Sequence, residues 1–191
     1  MAKANYLPET PLTRAIDKLI IRVGNGLSYI WLLLLLIIVF NVLLRYVFNQ
    51  GRIELEELQW HLYSFGFLIG LGFAYQADAH IRVDVLHERM KPRSQAWIEL
   101  YGIVLFLMPF IALVLIFSMP FVASSWALGE ISPSPGGLPL RWLIKAMLPV
   151  GFVLLSLAVL SRLIRVWHFL FFTEPVPAAV TSHTGSDHAG Q

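Results

Sequence analysis

The stretch NVLLRYVFNQGRIELEELQWHLYSFGFLIGLGFAYQADAHIRVDVL, residues 41–86, decides the fold of this chain. It contains the end of one apolar run, a short acidic turn, a second apolar run rich in glycine, and a polar segment that begins at His80. Charged side chains lie at the edges of these runs and none lies at their centres. This pattern is typical of a membrane protein that does not itself move ions.

The composition of the whole chain also indicates a membrane protein. Of its 191 residues, 57% are apolar and only 14% are charged, whereas about a quarter of the residues in a soluble domain are charged. The chain has no cysteine, which excludes disulfides, thiolate metal sites and cysteine nucleophiles. Its net charge of +2 is too small to indicate a nucleic-acid partner.

Four apolar stretches are long enough to cross a lipid bilayer, since a spanning helix needs roughly 20 apolar residues. The predicted spans cover about residues 23–47, 59–79, 97–119 and 143–165, within a membrane domain at residues 23–170. We expect Pro120 to end the third span and residues 121–129 to lie at the membrane interface. The sequence therefore predicts an all-α membrane protein with four transmembrane helices.

The basic residues at the ends of the spans and beyond them predict the orientation. They concentrate before the first span, in the second loop and at the end of the fourth span, and include Lys3, Arg14, Lys18, Arg22, Arg82, Arg89, Lys91, Arg93, Arg162 and Arg165. By the positive-inside rule, both termini are cytoplasmic. Residues 1–22 then form a cytoplasmic segment, and residues 171–191, which are small and polar, form a disordered cytoplasmic tail.

The sequence predicts no enzyme activity and no metal or cofactor site. Two histidines in the tail, His183 and His188, are too few to fix a metal. A haem bridge needs facing histidines within two spans, whereas His61, His80 and His168 lie near span ends. The spans also lack the central carboxylate that a self-contained four-helix homodimeric transporter would need, although that class of protein remains the alternative.

Polar residues around the first loop are candidates for fixing the first helical hairpin. Arg45 either anchors the first span at the interface or forms an ion pair with Glu56 or Glu57 across the loop. The two glutamates, together with Glu54, lie where a helix amino terminus favours carboxylates. His61 follows Glu57 by one helical turn and can hydrogen-bond to it.

The second span and the polar segment after it offer further contact residues. Gly66 and Gly70 form a small-xxx-small pair, whose groove faces either the other three helices or a different protein. If the helix continues, His80 and Asp84 lie on one face of an amphipathic connector. Alternatively, His80, Arg82 and Asp84 bind a partner or lock the connector to the first hairpin.

The motifs NVLLRYVFN, ELEEL, FGFLIGLGFAY and HIRVDVL occur in this order and spacing in a known family. The chain resembles the small permease subunit of tripartite ATP-independent periplasmic (TRAP) transporters, the DctQ family, over about residues 22–165. The run SWALGEISPSPGGLPLRWLIKAMLP is similar to the branch associated with mannitol, chloroaromatic or 2-oxo acid uptake. Where the family often has a tryptophan before its acidic pair, this chain has Leu55.

The resemblance implies a transport system of three proteins in the bacterial inner (cytoplasmic) membrane. A periplasmic binding protein would capture an organic acid, a large permease subunit would carry it inward by symport on an ion gradient, and the small subunit would be its scaffold or anchor in the lipid bilayer. The residues expected to serve assembly and anchoring are Arg45, Glu56, Glu57, His61, Gly66, Gly70, His80, Arg82 and Asp84. Loop three, residues 130–142, is either a rigid turn or a contact to the binding protein.

Overall fold

Each apolar run of the sequence forms a long helix in the computed structural model, which describes residues 7–79 and 90–172. In chain order the helices are α1 (Pro11–Val47), α2 (Ile53–Gln76), α3 (Pro92–Gly102), α4 (Met108–Ala127) and α5 (Arg141–Phe171), and a π-helical turn, Ile103–Leu107, joins α3 to α4. These two ranges contain no strand. The predicted all-α class is therefore confirmed.

Three helical stretches among the described residues are long and apolar enough to cross a membrane. They are Pro11–Val47, the joined stretch Pro92–Ala127, and Arg141–Phe171. Helix α2 has 24 residues, a length of about 36 Å at 1.5 Å per residue, but its polar and glycine residues make it less apolar. The prediction that α2 also crosses the membrane, which would make four spans in all, stays a prediction. The cytoplasmic position of both termini also stays a prediction.

Helix α5 lies at the centre of the bundle and packs against α1, α2, α3 and α4. One buried apolar cluster consists of Ile103, Ile111, Phe152, Leu155 and Val159. A second cluster, nearer the carboxyl end of α5, consists of Leu7, Ala96, Leu100, Val166 and Leu170. By contrast, only 11% of the apolar window of α1 is buried, so most of its surface is left for lipid or for another protein.

Two glycines allow the backbones of α2 and α5 to come together. A Cβ atom at Gly151 would lie 2.6 Å from the carbonyl oxygen of Leu68, and one at Gly72 would lie 3.1 Å from the carbonyl carbon of Leu154. Such close approach of backbones is what small residues provide at helix contacts in membranes. These positions therefore set the separation between α2 and α5.

Two prolines inside the stretch from α3 to α4, Pro109 and Pro120, affect the helix differently. Pro120 does not end it, because α4 continues to Ala127, so the predicted helix end at Pro120 is wrong; the position of residues 121–129 at the membrane interface stays a prediction. An internal proline removes one hydrogen bond, and membrane helices tolerate this loss because neighbouring groups compensate. Pro109 follows the π-helical turn, which widens the helix where the proline ring would otherwise meet a carbonyl of the preceding turn.

Helix α2 ends at Gln76 in a Schellman motif. The Ala79 amide donates a hydrogen bond to the Ala74 carbonyl over 3.0 Å, and Asp78 adopts a φ of 55° in the left-handed position where glycine is usual. A direct continuation of α2 toward the polar segment is therefore not present. The predicted contact residues His80, Arg82 and Asp84 lie outside the described residues.

Candidate functional site

The first loop brings Arg45 and Glu56 together. The Nη1 atom of Arg45, at the end of α1, lies 3.8 Å from Oε1 of Glu56, in the first turn of α2. The sequence had left Glu56 and Glu57 open as partners, and the structure selects Glu56. The side chains are 64% and 44% exposed, so this pair stabilises the hairpin by no more than about 1 kcal/mol.

Glu57, by contrast, holds loop three against α2 through hydrogen bonds. Its side chain is buried, and its carboxylate accepts hydrogen bonds from the Ser132 hydroxyl and, over 2.6 Å, from the Leu138 backbone N–H. Gly137 fits beside it because a Cβ there would lie 2.8 Å from Glu57 Oε1. His61 contacts the backbone carbonyl of Glu57 through Nδ1 at 2.7 Å. Its predicted contact is therefore with the main chain of Glu57.

Glu130 forms a second anchor at the start of loop three. Its carboxylate accepts hydrogen bonds from the Lys145 ammonium and, over 2.7 Å, from the Ser125 hydroxyl, and it lies 3.7 Å from the Arg141 Nε atom. The hydrogen bond from Lys145 is the main reason that the pKa of Glu130 lies below its ordinary value of 4.5. Loop three is thus tied to α2 through Glu57 and to α4 and α5 through Glu130.

We expect Glu57→Gln to release loop three, because an amide accepts weaker hydrogen bonds than a carboxylate does. Loop three should then be cut by protease at least several-fold faster. Limited proteolysis of the purified chain in detergent measures the rate. Glu54→Gln, which removes the same charge from an exposed position one turn earlier, is the control; equal cleavage of both variants would contradict this role of Glu57.

Acidification should release the Glu130 anchor only below about pH 4.5. Because its pKa is lower in the folded chain than the ordinary 4.5, Glu130 contributes stability above that value and loses it as the pH falls through the folded pKa. The difference in unfolding temperature between the natural chain and Glu130→Gln should stay constant from pH 7 to 5 and shrink below 4.5. A difference that already shrinks between pH 7 and 6 would assign the effect to other groups.

A buried ion pair joins α1 to α5 at the opposite end of the bundle. Asp17 accepts hydrogen bonds from Arg165 Nη2 and, over 2.9 Å, from the Ser161 hydroxyl, and the two charged residues are 8% and 9% exposed. Beside them, Arg162 donates two hydrogen bonds, of 2.6 and 3.2 Å, to the carboxylate of Glu99 in α3. Charged groups thus connect three helices here.

Sequence reasoning missed this charged network and used its arginines only as basic residues that predict the orientation. The available signal was the spacing of Arg162 and Arg165, which places both on one side of a helix. A second signal was Asp17, an isolated acid between Arg14 and Lys18. Neither signal names the partner, because the paired residues lie 148 positions apart.

The structure separates the two glycines of the predicted helix-packing pair. A Cβ at Gly66 would lie 2.9 Å from the Trp31 side chain of α1, whereas one at Gly70 would meet nothing within 4 Å. The groove at Gly66 is therefore filled from within the chain. Gly70 presents an open stretch of the α2 backbone to its surroundings.

Comparison with known proteins agrees with the family resemblance of the sequence motifs. Residues 34–169 match the model of a family described as "Tripartite ATP-independent periplasmic transporters, DctQ component". The chain is 31% identical over 144 residues to a protein of Haemophilus influenzae named as a TRAP transporter small permease, and this alignment covers 75% of the chain and 86% of that protein. No solved structure matches the chain.

The matched region runs from the middle of α1 almost to the end of α5. It includes the loop-three anchors Glu57 and Glu130, and it includes Arg162 and Arg165 but not Asp17. The family consists of transporter subunits and not of enzymes, and the long apolar helices fit an integral membrane protein. The chain therefore belongs to the DctQ family of TRAP small permease subunits and is a multi-pass protein of the inner membrane.

Proposed function

We propose that this chain anchors the large permease subunit of a tripartite, ATP-independent transporter that imports an organic acid on an ion gradient. Membership of the family implies a system with a large permease and a binding protein. The observation that carries the anchoring role is the placement of charge. Residues 23–44, 103–127 and 146–161, the apolar parts of α1, α4 and α5 with the π-helical turn, contain no charged side chain, so ion coupling belongs to another subunit.

The outward surface of α1 and α2 is the proposed contact for the large subunit. Much of α1 is exposed and apolar, and the open backbone at Gly70 allows a further helix to approach closely. Arg45 lies at the edge of this surface with most of its side chain exposed. In this arrangement α2 also crosses the membrane, which gives four spans in all. Both termini are then cytoplasmic, as the basic residues favour.

A pull-down of the tagged chain from its native membrane in mild detergent tests the proposal. Mass spectrometry should identify one large polytopic permease in near-equal amount. Recovery of the chain alone, as a stable oligomer that transports an organic acid in liposomes, would contradict the proposal and support the homodimeric transporter.

Arg45→Ala is expected to reduce recovery of the large subunit about tenfold, the effect of losing roughly 1.4 kcal/mol of binding free energy. The unfolding temperature of the chain alone should change little, because the Arg45 pair is exposed. Arg52→Ala, which removes a charge from the same loop, is the control and should leave recovery unchanged. We expect Asp84→Ala to act as Arg45→Ala does; normal assembly and uptake by both variants would refute the assigned roles.

A further inference from the structure

A cavity of about 400 Å³ opens at the end of the bundle where α1 begins and α5 ends. We call it the terminal cavity. The charged residues that line it are Glu9, Arg14, Asp17, Lys18, Asp78, Arg162 and Arg165. A smaller cavity of about 20 Å³ shares Asp17, Gln76, Arg162 and Arg165 with it, so the opening extends inward to the buried ion pair.

Two cations in this lining, Lys18 and Arg165, have side-chain N–H groups without an acceptor among the described residues. Lys18 is exposed and forms no ion pair or hydrogen bond with other residues of the two described ranges, whereas the neighbouring Arg14 lies 3.6 Å from Glu9. Arg165 donates Nη2 to Asp17, but its Nε is buried and has no acceptor within residues 7–79 and 90–172. The terminal cavity therefore offers an exposed ammonium donor for an oxyanion at its mouth, next to the buried charges of Asp17 and Arg165 at its base.

The remaining charges limit which oxyanion fits. Three carboxylates, those of Glu9, Asp17 and Asp78, offset all but one of the four cations in the lining, so a singly charged anion matches the remaining charge better than the dianionic form of inorganic phosphate does. A phosphodiester carries one negative charge and still presents two free oxygens. The lining thus favours a singly charged phosphodiester over free phosphate.

The surroundings of the terminal cavity favour a lipid as the source of that group. Ile21 contributes to the lining and is 39% exposed, and Leu19, two residues earlier in α1, is 49% exposed. From Val23 onward α1 continues as an uncharged apolar run whose surface is mostly exposed. A ligand with a charged head in the cavity could extend an apolar chain along this surface.

We propose that the terminal cavity binds the phosphodiester headgroup of a membrane glycerophospholipid. The Lys18 ammonium contacts a phosphodiester oxygen, Asp17 stays paired with Arg165, and the acyl chains lie along α1. This site does not depend on which subunit the chain anchors or on which substrate is carried.

Native mass spectrometry of the full chain, purified with the subunits that accompany it, tests the site with added phosphatidylglycerol. Lys18→Gln should reduce the lipid-bound fraction about fivefold, because glutamine lacks the charge that strengthens the hydrogen bond from Lys18 to the phosphodiester. Arg22→Gln is the matched control, since Arg22 is exposed on the next turn of α1 and does not line the cavity; it should change binding less than twofold. Diacylglycerol with the same acyl chains should not bind.

Three results would overturn the proposal. Equal losses in the Lys18 and Arg22 variants would show diffuse attraction to the membrane surface only. Displacement of the lipid by millimolar inorganic phosphate would assign the cavity to a free oxyanion. Unchanged lipid binding together with loss of an accompanying subunit in Lys18→Gln would assign it to a protein contact. Because Lys18 has no partner in the described part of the chain, an unchanged unfolding temperature checks that this variant folds.

Discussion

Asp17→Asn should lower the unfolding free energy of the chain by about 3–5 kcal/mol, because it leaves the buried guanidinium of Arg165 without a counter-charge. Both residues are more than 90% buried, and the pair joins the first long helix to the last. Thermal unfolding of the purified chain in detergent measures the loss.

A second variant separates this charge effect from a general loss of packing. Replacing both partners, Asp17→Leu with Arg165→Met, should recover most of the lost stability, since a buried ion pair exchanged for apolar residues is often neutral or stabilising. Glu9→Gln, which breaks an exposed pair with Arg14, should cost less than about 1 kcal/mol. A double variant as unstable as Asp17→Asn would show that the uncompensated charge is not the cause.

Gly151→Ala is expected to force α2 and α5 apart and to cost about 3 kcal/mol or more, the upper range for overpacking. The new Cβ would lie 2.6 Å from the Leu68 carbonyl oxygen and 2.9 Å from the Leu68 Cβ, and a backbone carbonyl within a helix cannot move aside. The same unfolding measurement, together with the elution volume in size exclusion, detects the change.

Gly26→Ala is the control for this substitution, because a Cβ at Gly26 in α1 meets nothing within 4 Å. It should leave the unfolding temperature unchanged or raise it, since alanine favours a helix by up to about 1 kcal/mol over glycine. Equal losses in the two variants would mean that close approach of α2 and α5 does not hold the bundle together.

The helices could be predicted from the sequence, and so could contacts between residues close together in the chain. Uncharged runs show where long helices form, whatever they pack against. The short first loop places Arg45 near Glu56 and Glu57 in any hairpin of α1 and α2. The end of a helix is harder to predict: Pro120 looks like a stop, yet the surrounding turns keep enough hydrogen bonds for α4 to continue to Ala127.

Contacts between distant parts of the chain could not be predicted, because their signals do not name a partner. In the sequence Glu57 looks like an ordinary carboxylate near a helix amino terminus, but one of its oxygens accepts a hydrogen bond from the Leu138 amide 81 residues away. The spacing of Gly66 and Gly70 indicates a helix-packing face. It does not show that the Trp31 side chain fills the space beside Gly66, or that α5 approaches α2 at Gly72 and not at Gly70.

The π-helical turn before Pro109 holds one residue more than a regular helix would use between two contact faces. The buried residues before it are Ala96, Leu100 and Ile103, and those after it are Ile111, Ser118 and Ser125. Each residue rotates an α-helix by about 100°, so the eight steps from Ile103 to Ile111 would rotate the second face by about 80° relative to the first if the helix were regular. The wider π-helical turn accommodates the extra residue, so that the buried faces before and after it both point toward α5. An insertion or deletion of one residue elsewhere in α3 or α4 has no such buffer and would rotate everything that follows it.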